Sequence, residues 1–463
     1  MAGIVHEPAR ELPVVGEWDV IVAGGGPGGI CAAVAAARSG ARTLLIERQG
    51  FLGGIATAGW VRPILGVRPA KTGEPVIGGI AEELCREMER LGAASAFDES
   101  VARGRIDFDP EGLKLAADRL VAGSGAQVRL HSIVAGAIAE GGRLVGLALE
   151  SKSGRQAVLG RVFVDATGDA DVVALAGGRF TLGRLADGRV QAMGTVMQVG
   201  GIDEGAYPSG PEEERIAQRW REAIEAGEIR AYRWHQGHVG PDPARGQRTY
   251  NITHLGGNPV SVEDLTAAEV QARRDAFEML DFMRREVPGM SQAFIEVLSP
   301  SMGVRESRQM VGLERVTYED AVTARKRPDA VARCSFGIDI HCPMAEVKGR
   351  TFTCSVRCDN TACHMQTRHR ADLPERTGIG EGSWFDIPWG ALVSPDVPNL
   401  VACGRCISAD HAAMSALRVM GPSMTTGQAA GTGAAMAAGA GCDPGAVEVA
   451  ELQRRMRQAG CSI

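Results

Sequence analysis

Lysine is scarce in this chain of 463 residues: five side chains, at positions 71, 114, 152, 326 and 348, leaving 45 arginines among 50 basic residues. With abundant Ala and Gly, that imbalance points to the coding bias of a high-GC bacterium; it concerns source, not chemistry. Positive charge is not in excess either. The formal net charge of −6 argues against a general nucleic-acid binder, which needs a basic face to neutralise phosphates. No stretch reaches about 18 uninterrupted apolar residues, so no membrane-spanning helix is expected. Residues 1–17 have no cationic start and no apolar run of signal-peptide length. They are read as an N-terminal extension of a cytoplasmic protein. Cysteine pairing is also unsupported: eleven cysteines, an odd number at irregular spacing, are expected to be mostly reduced thiols.

What remains is an ordinary globular composition, 44% hydrophobic and 23% charged, long enough for two or three domains and a large core. Glycine is rich, 61 residues, and often clustered, as where backbone must approach a ligand. The clearest cluster follows Trp18, in WDVIVAGGGPGGICAAVAAARSGARTLLIER. Asp19–Ala23 has the composition of a buried strand. Gly24, Gly26 and Gly29 follow as G-x-G-x-x-G, with Pro27 and Gly28 between them. Residues 30–39 read as a small-residue helix ended by Gly40, and 43–46 as a second strand with Glu47 at its end. This is the fingerprint of a dinucleotide-binding βαβ unit. Gly24 permits the tight turn, Gly26 lets backbone approach a pyrophosphate, and Gly29 lets helix and strand pack closely. The helix N-terminus favours the phosphates, and Glu47 is placed to accept from ribose hydroxyls.

Later segments add to this unit. Gly53 and Gly54 give a second flexible stretch directly after Glu47 and Arg48. Residues 125–150, including Val134, read as a β-meander around a Gly–Gly turn. VFVDATGDAD (162–171) is a buried strand ending in a turn through Thr167, Gly168 and Asp169. Asn399–Cys403 reads as a strand, Gly404–Arg405 as a turn. From about Pro422 a helix begins that carries Gly427 and Gln428 in its polar first half. Its N-terminus suits negative charge.

Together DVIVAGGGPGGICAA (19–33), GFLGG (50–54), VDATGDAD (164–171), GVRESRQMVG (303–312), FDIPWGALV (385–393) and NLVACGRCIS…ALRVMGPSMTTGQAAG (399–431) resemble the glutathione-reductase-type flavoproteins, in particular the bacterial FAD-dependent oxidoreductases. The resemblance covers nearly the whole chain. It implies covalent or non-covalent FAD and an α/β architecture: a discontinuous Rossmann-like FAD-binding domain, 18–190 with 385–445, and an inserted α+β substrate domain, 191–384. Three positions depart from the family pattern. Gly28 stands where Ala is usual, a change expected to be harmless. Gly390 replaces a larger polar residue, and Cys403 replaces Ala.

Catalytic candidates come from the same segments. His411 is the first choice for a general acid or base, since imidazole titrates near neutral pH; packing is its competing role. Arg305, with Glu306 and Arg308, either faces the flavin and substrate, as the resemblance implies, or ties the domains by ion pairs. Arg418 lies in the same C-terminal stretch as His411. His235, His238 and His254 fall in a polar segment, 232–258, that is either part of the pocket or a solvated loop. Cys334, Cys342, Cys354, Cys358 and Cys363 with His364 lack the spacing of zinc or iron–sulfur ligands, and no metal is expected. Cys403 and Cys406 have redox-dithiol spacing, but Cys403 ends a buried strand instead of opening a helix.

The expected function is hydride transfer from a small organic substrate to flavin. Residues 190–385 hold no second dinucleotide fingerprint, so electrons are expected to leave to oxygen, a quinone or a carrier, unless NAD(P)H visits the flavin transiently. A monooxygenase or halogenase using NAD(P)H and oxygen is one alternative; a non-catalytic flavin-binding protein is another. Oligomeric state, including a homo-oligomer, stays open.

Overall fold

The computed structural model describes residues 3–5, 8–69, 74–185, 187–231, 234–235, 237–239, 245–251, 253–341, 379 and 383–463. The first strand, β1, runs Val14–Ala23 and is fully buried from Val20 onward. Helix α1 spans Pro27–Arg38. It starts three residues before the predicted Ile30, because Pro27 at its first position has a pre-set helical φ and gives up no needed N–H. Strand β2 is Thr43–Ile46, as predicted. The meander is present: β3 Gln127–Arg129, β4 Ile133–Glu140 and β5 Arg143–Ser151. Gly141 and Gly142, both at positive φ, turn β4 into β5.

Strand β6, Gly154–Asp165, is longer than expected and organises the sheet. Its first half pairs antiparallel with β5, while β1 lies parallel along it. Its last three residues also pair parallel with β11, Leu400–Ala402. The sheet order is β3-β2-β1-β6-β5-β4, with β11 on β6. The parallel strands therefore end together at Ala23, Ile46, Asp165 and Ala402, so the turns that follow them converge. In open α/β sheets that edge is where ligands bind.

A second, antiparallel sheet comes from the middle of the chain. It runs β8-β9-β7-β10, from His238–Val239, Arg248–Tyr250, Met197–Gly200 and Phe294–Leu298. Two amphipathic helices accompany it, α2 Pro211–Glu225 and α3 Val262–Glu286. Ser261 caps α3 by accepting from Asp264 N at 3.2 Å, the role serine commonly takes at a helix start. Trp220 of α2 and Phe282 of α3 meet edge-on in this second core.

Near the C-terminus, α4 is His411–Leu417 and α5 is Met420–Ala440. Helix α5 lies directly on α1. A Cβ at Gly427 would sit 2.0 Å from Gly28 O, and one at Gly431 2.0 Å from Ala32 O. The glycine and alanine content of both helices is what lets their backbones touch. None of the described helices is long and apolar enough to cross a membrane.

Candidate functional site

The glycine turn after β1 forms one wall of a cleft. Gly24 adopts φ +103°, and a Cβ there would sit 2.4 Å from Ala166 O. A Cβ on Gly29 would lie 1.8 Å from Gly24 O, so this residue serves packing and does not face the cleft. Gly26 lines the cleft, and a Cβ there would meet nothing within 4 Å. Only this glycine would project a side chain into the space a ligand needs, which is the division of labour expected of the three.

Glu47 stands at the cleft, 6% exposed. Gly25 N donates to its Oε2 at 2.7 Å and Gln49 N to its Oε1 at 2.8 Å. Each oxygen keeps a lone pair for a ribose hydroxyl. Gly53 N donates to Gly25 O at 2.8 Å and brings Gly54 against Gly26; Gly54 lines the cleft, Gly53 does not. Across from them lie Thr167, Gly168 and Asp169, then Gly404 and Arg405, with exposed Arg48 at the side. Asp169 Oδ1 accepts from Arg405 Nη2 at 3.0 Å and from Ser307 Oγ at 2.7 Å.

Three other cofactor candidates lie elsewhere. Val134 sits on β4, paired with Leu149 of β5, and does not line the cleft. Gly427 is the contact of α5 on α1. Gln428 accepts from Ile80 N at 2.9 Å and faces a different surface hollow. These two fell in a glycine-rich polar stretch whose glycines serve helix packing.

The departure at Gly28 has a structural partner. A Cβ there would lie 3.2 Å from Cys403 Sγ and 3.0 Å from Ser423 O. Ala at 28 would therefore be tight, contrary to the expectation of a harmless change: the larger Cys403 occupies the room. Gly390 is matched in the same way by Glu314, whose Cγ would lie 2.8 Å from a Cβ. Cys403 and Cys406 are both free and buried, and burial pushes both thiols up. Cys406 Sγ accepts from Gly168 N at 3.1 Å and Ala170 N at 3.3 Å. It holds the 167–170 turn, a structural task. Cys342, Cys354, Cys358, Cys363 and His364 lie outside the described residues.

A cavity of about 680 Å³ adjoins the cleft. Ile55, Val304, Arg405, Arg418 and Met420 line both spaces. The start of α5 thus stands at their common wall, with Met420 at its first turn. Arg305 lines the cavity and donates from Nη1 to Ala192 O at 2.6 Å and from Nη2 to Asn251 Oδ1 at 3.0 Å. Arg308 turns the other way, donating to Asp169 O at 2.8 Å and pairing with Asp171. Glu306 points inward, accepting from Gln191 N at 2.9 Å. The 305–308 segment therefore points its two arginines apart, Arg305 into the cavity and Arg308 onto the 169–171 turn.

His411 does not reach either space. It opens α4 fully buried, its Nδ1 2.7 Å from Glu306 Oε2. The helix that carries it turns its side chain to the interior. Among the described residues, the imidazoles that face the cavity are His238 and His341; His254 is buried beside His341, ring centroids 5.4 Å apart. Burial, then Arg305 and His341, take His254 down to about 2. His341 Nε2 lies 3.3 Å from Asp339 Oδ2, which Arg418 Nη2 also contacts at 3.3 Å. Burial and the Arg305 charge take His341 down to about 3, so it is neutral at neutral pH. Burial works against ionising Asp339, but the His341 hydrogen bond and the Arg418 and Arg305 charges outweigh it and hold the carboxyl at about 2. Asp339 and His341 had no motif to announce them.

Residues 19–456 match the family described as FAD dependent oxidoreductase. Among curated proteins, digeranylgeranylglycerophospholipid reductase 1 of Methanopyrus kandleri is 33% identical over 162 residues, 33% of this chain and 40% of that one. Dihydrolipoyl dehydrogenase of Trypanosoma brucei brucei is 49% identical over 45 residues, 10% of this chain and 9% of that one. The matches thus span less than half the length of either relative. Among solved structures, a geranylgeranyl bacteriochlorophyll reductase-like protein of Thermoplasma acidophilum aligns over 96% of this chain and 81% of its own, at 15% identity and a TM-score of 0.42. With a family match across nearly its whole length, and a glycine-walled cleft that fits the cofactor, the chain belongs to the FAD dependent oxidoreductase family and its cofactor is FAD.

Proposed function

We propose that the protein oxidises a small organic substrate held in the cavity, by the glutathione-reductase-type division of labour. Residues 18–190 and 385–445 hold FAD; 191–384 contribute much of the substrate site. FAD supplies the redox chemistry by accepting a hydride. The observation that carries this reading is the shared wall: five residues face both spaces, so a substrate in the cavity and a cofactor in the cleft would adjoin there.

The chain's own residues supply position and charge. Gly24, Gly26, Gly28 and Gly54 would leave room for the dinucleotide, and Glu47 would accept from its ribose hydroxyls. Arg418 and the N-terminal end of α5 put positive potential at the shared wall, where negative charge would be stabilised. The Asp339–His341 pair is the proton acceptor in this proposal, replacing His411, which acts through Glu306 as a positioning residue. His341 is held low chiefly by burial and then by Arg305, so it meets the substrate as a neutral imidazole able to accept a proton.

Anaerobic mixing of FAD-loaded protein with candidate substrates tests the reading. Bleaching of the flavin's visible band by substrate alone is expected. Bleaching that requires NAD(P)H, with substrate-stimulated NAD(P)H oxidation in air, would instead make the protein a monooxygenase or halogenase. No reduction by any reductant would make it a flavin binder without turnover.

A further inference from the structure

The cavity holds a buried cation that the proposed reaction does not use. Arg62 is 6% exposed and lines the cavity but not the cleft. Its partners are all neutral: Nε donates to Phe108 O at 3.0 Å, Nη1 to Gln198 Oε1 at 2.9 Å and Thr249 Oγ1 at 3.2 Å. Among the described residues no carboxylate pairs with it, and Nη2 makes no hydrogen bond. Burial lowers its pKa, the charges of Asp109, Asp107 and Glu296 oppose that without hydrogen bonding to it, and Arg245 adds to the lowering, yet a guanidinium stays charged. Burying such a charge without a counter-ion is costly.

Two further observations point to a ligand. Trp60, two residues before Arg62, lines the same wall at φ +55° and donates to the same Gln198 oxygen at 3.3 Å. A bulky residue in left-handed backbone is strained, and such strain gathers at functional sites. The described cavity wall also carries four arginines, 62, 305, 405 and 418, against one carboxylate, Asp339. Much of the remaining wall is apolar, including Val61, Leu65, Val196 and Phe336.

We propose that the substrate is a carboxylate with an apolar body, its anion held end-on by Arg62 Nη2 away from the shared wall, which leaves the reacting carbon beside Arg418 and Met420. This rests on the reading of the cavity as the substrate site. One nitrogen, not a fork, is available, which suits a single carboxylate oxygen.

Isothermal titration calorimetry of the FAD-loaded protein with benzoate and with its neutral isostere benzamide tests it without turnover. Benzoate should bind about 10-fold or more tighter than benzamide, and Arg62→Met should weaken benzoate by about 10- to 100-fold while moving benzamide less than about 3-fold. Should Arg62→Met fail to load FAD, the paired exchange Gln198→Glu with Glu296→Gln serves. It sets a carboxylate against Nη1 and keeps a hydrogen bond between 198 and 296, now 2.6 Å, neutralising Arg62 in place; the same loss is expected. Absence of benzoate binding, equal binding of the two probes, or benzoate affinity unchanged in the variants overturns the proposal. Arg62-dependent benzoate binding in a protein that no carboxylate reduces would keep the anion site and overturn the hydride reading instead.

Discussion

The cleft and the cavity share a wall but are built on different principles. The cleft's inner wall is mostly backbone: glycines at 24, 26, 28 and 54, a turn at 167–169, and the Glu47 carboxylate tied by two backbone N–H groups, with side chains such as Arg405 and Arg418 toward the shared wall. The described cavity wall is largely side chains: arginines, imidazoles and apolar groups from separated stretches at 55–65, 194–196, 238, 249–251, 303–305, 336–341, 405 and 418–420. A dinucleotide backbone can be met by any chain that folds back tightly enough. A particular substrate needs particular side chains.

The comparison can be broken most severely at His341. Asparagine there should slow flavin reduction by substrate about 100-fold or more, the usual contribution of a general base, with FAD content unchanged. A drop in FAD content with the same loss of rate would make His341 part of the cofactor's support. The converse change is Gly26→Val. Its side chain would enter the open cleft, so FAD affinity should fall on the order of 100-fold, about 2.7 kcal/mol, while the melting of the FAD-free protein hardly moves. Gly29→Ala should do the opposite, destabilising the FAD-free fold by about 3 kcal/mol through overpacking against Gly24 O. Denaturant melts and FAD titrations of the two variants separate the roles.

Acid should act on the buried imidazoles at and behind the cavity wall. His254 and His341 are neutral in the fold, at about 2 and about 3, but in the unfolded chain they take up protons below about 6.5. The unfolded state then binds more protons, so stability falls as pH drops through that value, by up to about 1.4 kcal/mol per unit for each group. Unfolding free energies at about pH 7 and about pH 5.5 should show it. Asp171, raised by burial to about 6, acts in the opposite direction over the same range, so the check is the slope lost in His341→Asn; a slope unchanged in that variant would mean that the imidazole is charged in the fold. The smallest effect concerns Gly28 and Cys403. Gly28→Ala should destabilise alone and less so beside Cys403→Ala, with a coupling of about 0.5–1 kcal/mol in a double-mutant cycle.

The same contrast explains what could be read from the chain. The βαβ unit was legible because a tight backbone path demands glycine at set intervals, so the chemistry is local in sequence. Glu47 and the 167–169 turn followed from strand ends that the sheet brings together. Gly427 and Gln428 misled because glycine serves helix packing as readily as ligand approach. His411 misled because residue type and neighbourhood do not reveal which way a helix faces. Arg62, Asp339 and His341 belong to no motif: the second sheet holds Arg62 through Gln198 and Thr249, while Asp339 and His341 are placed by Ser415 and Gln191, distant in sequence.

The most direct test of the account is a crystal structure of the FAD-loaded protein. The flavin ring is expected at the shared wall, against Ile55, Val304, Arg418 and Met420, with its adenosine end toward Glu47. A ring lying away from those four residues, or walled off from the cavity by protein, would contradict the claim that cleft and cavity form one site.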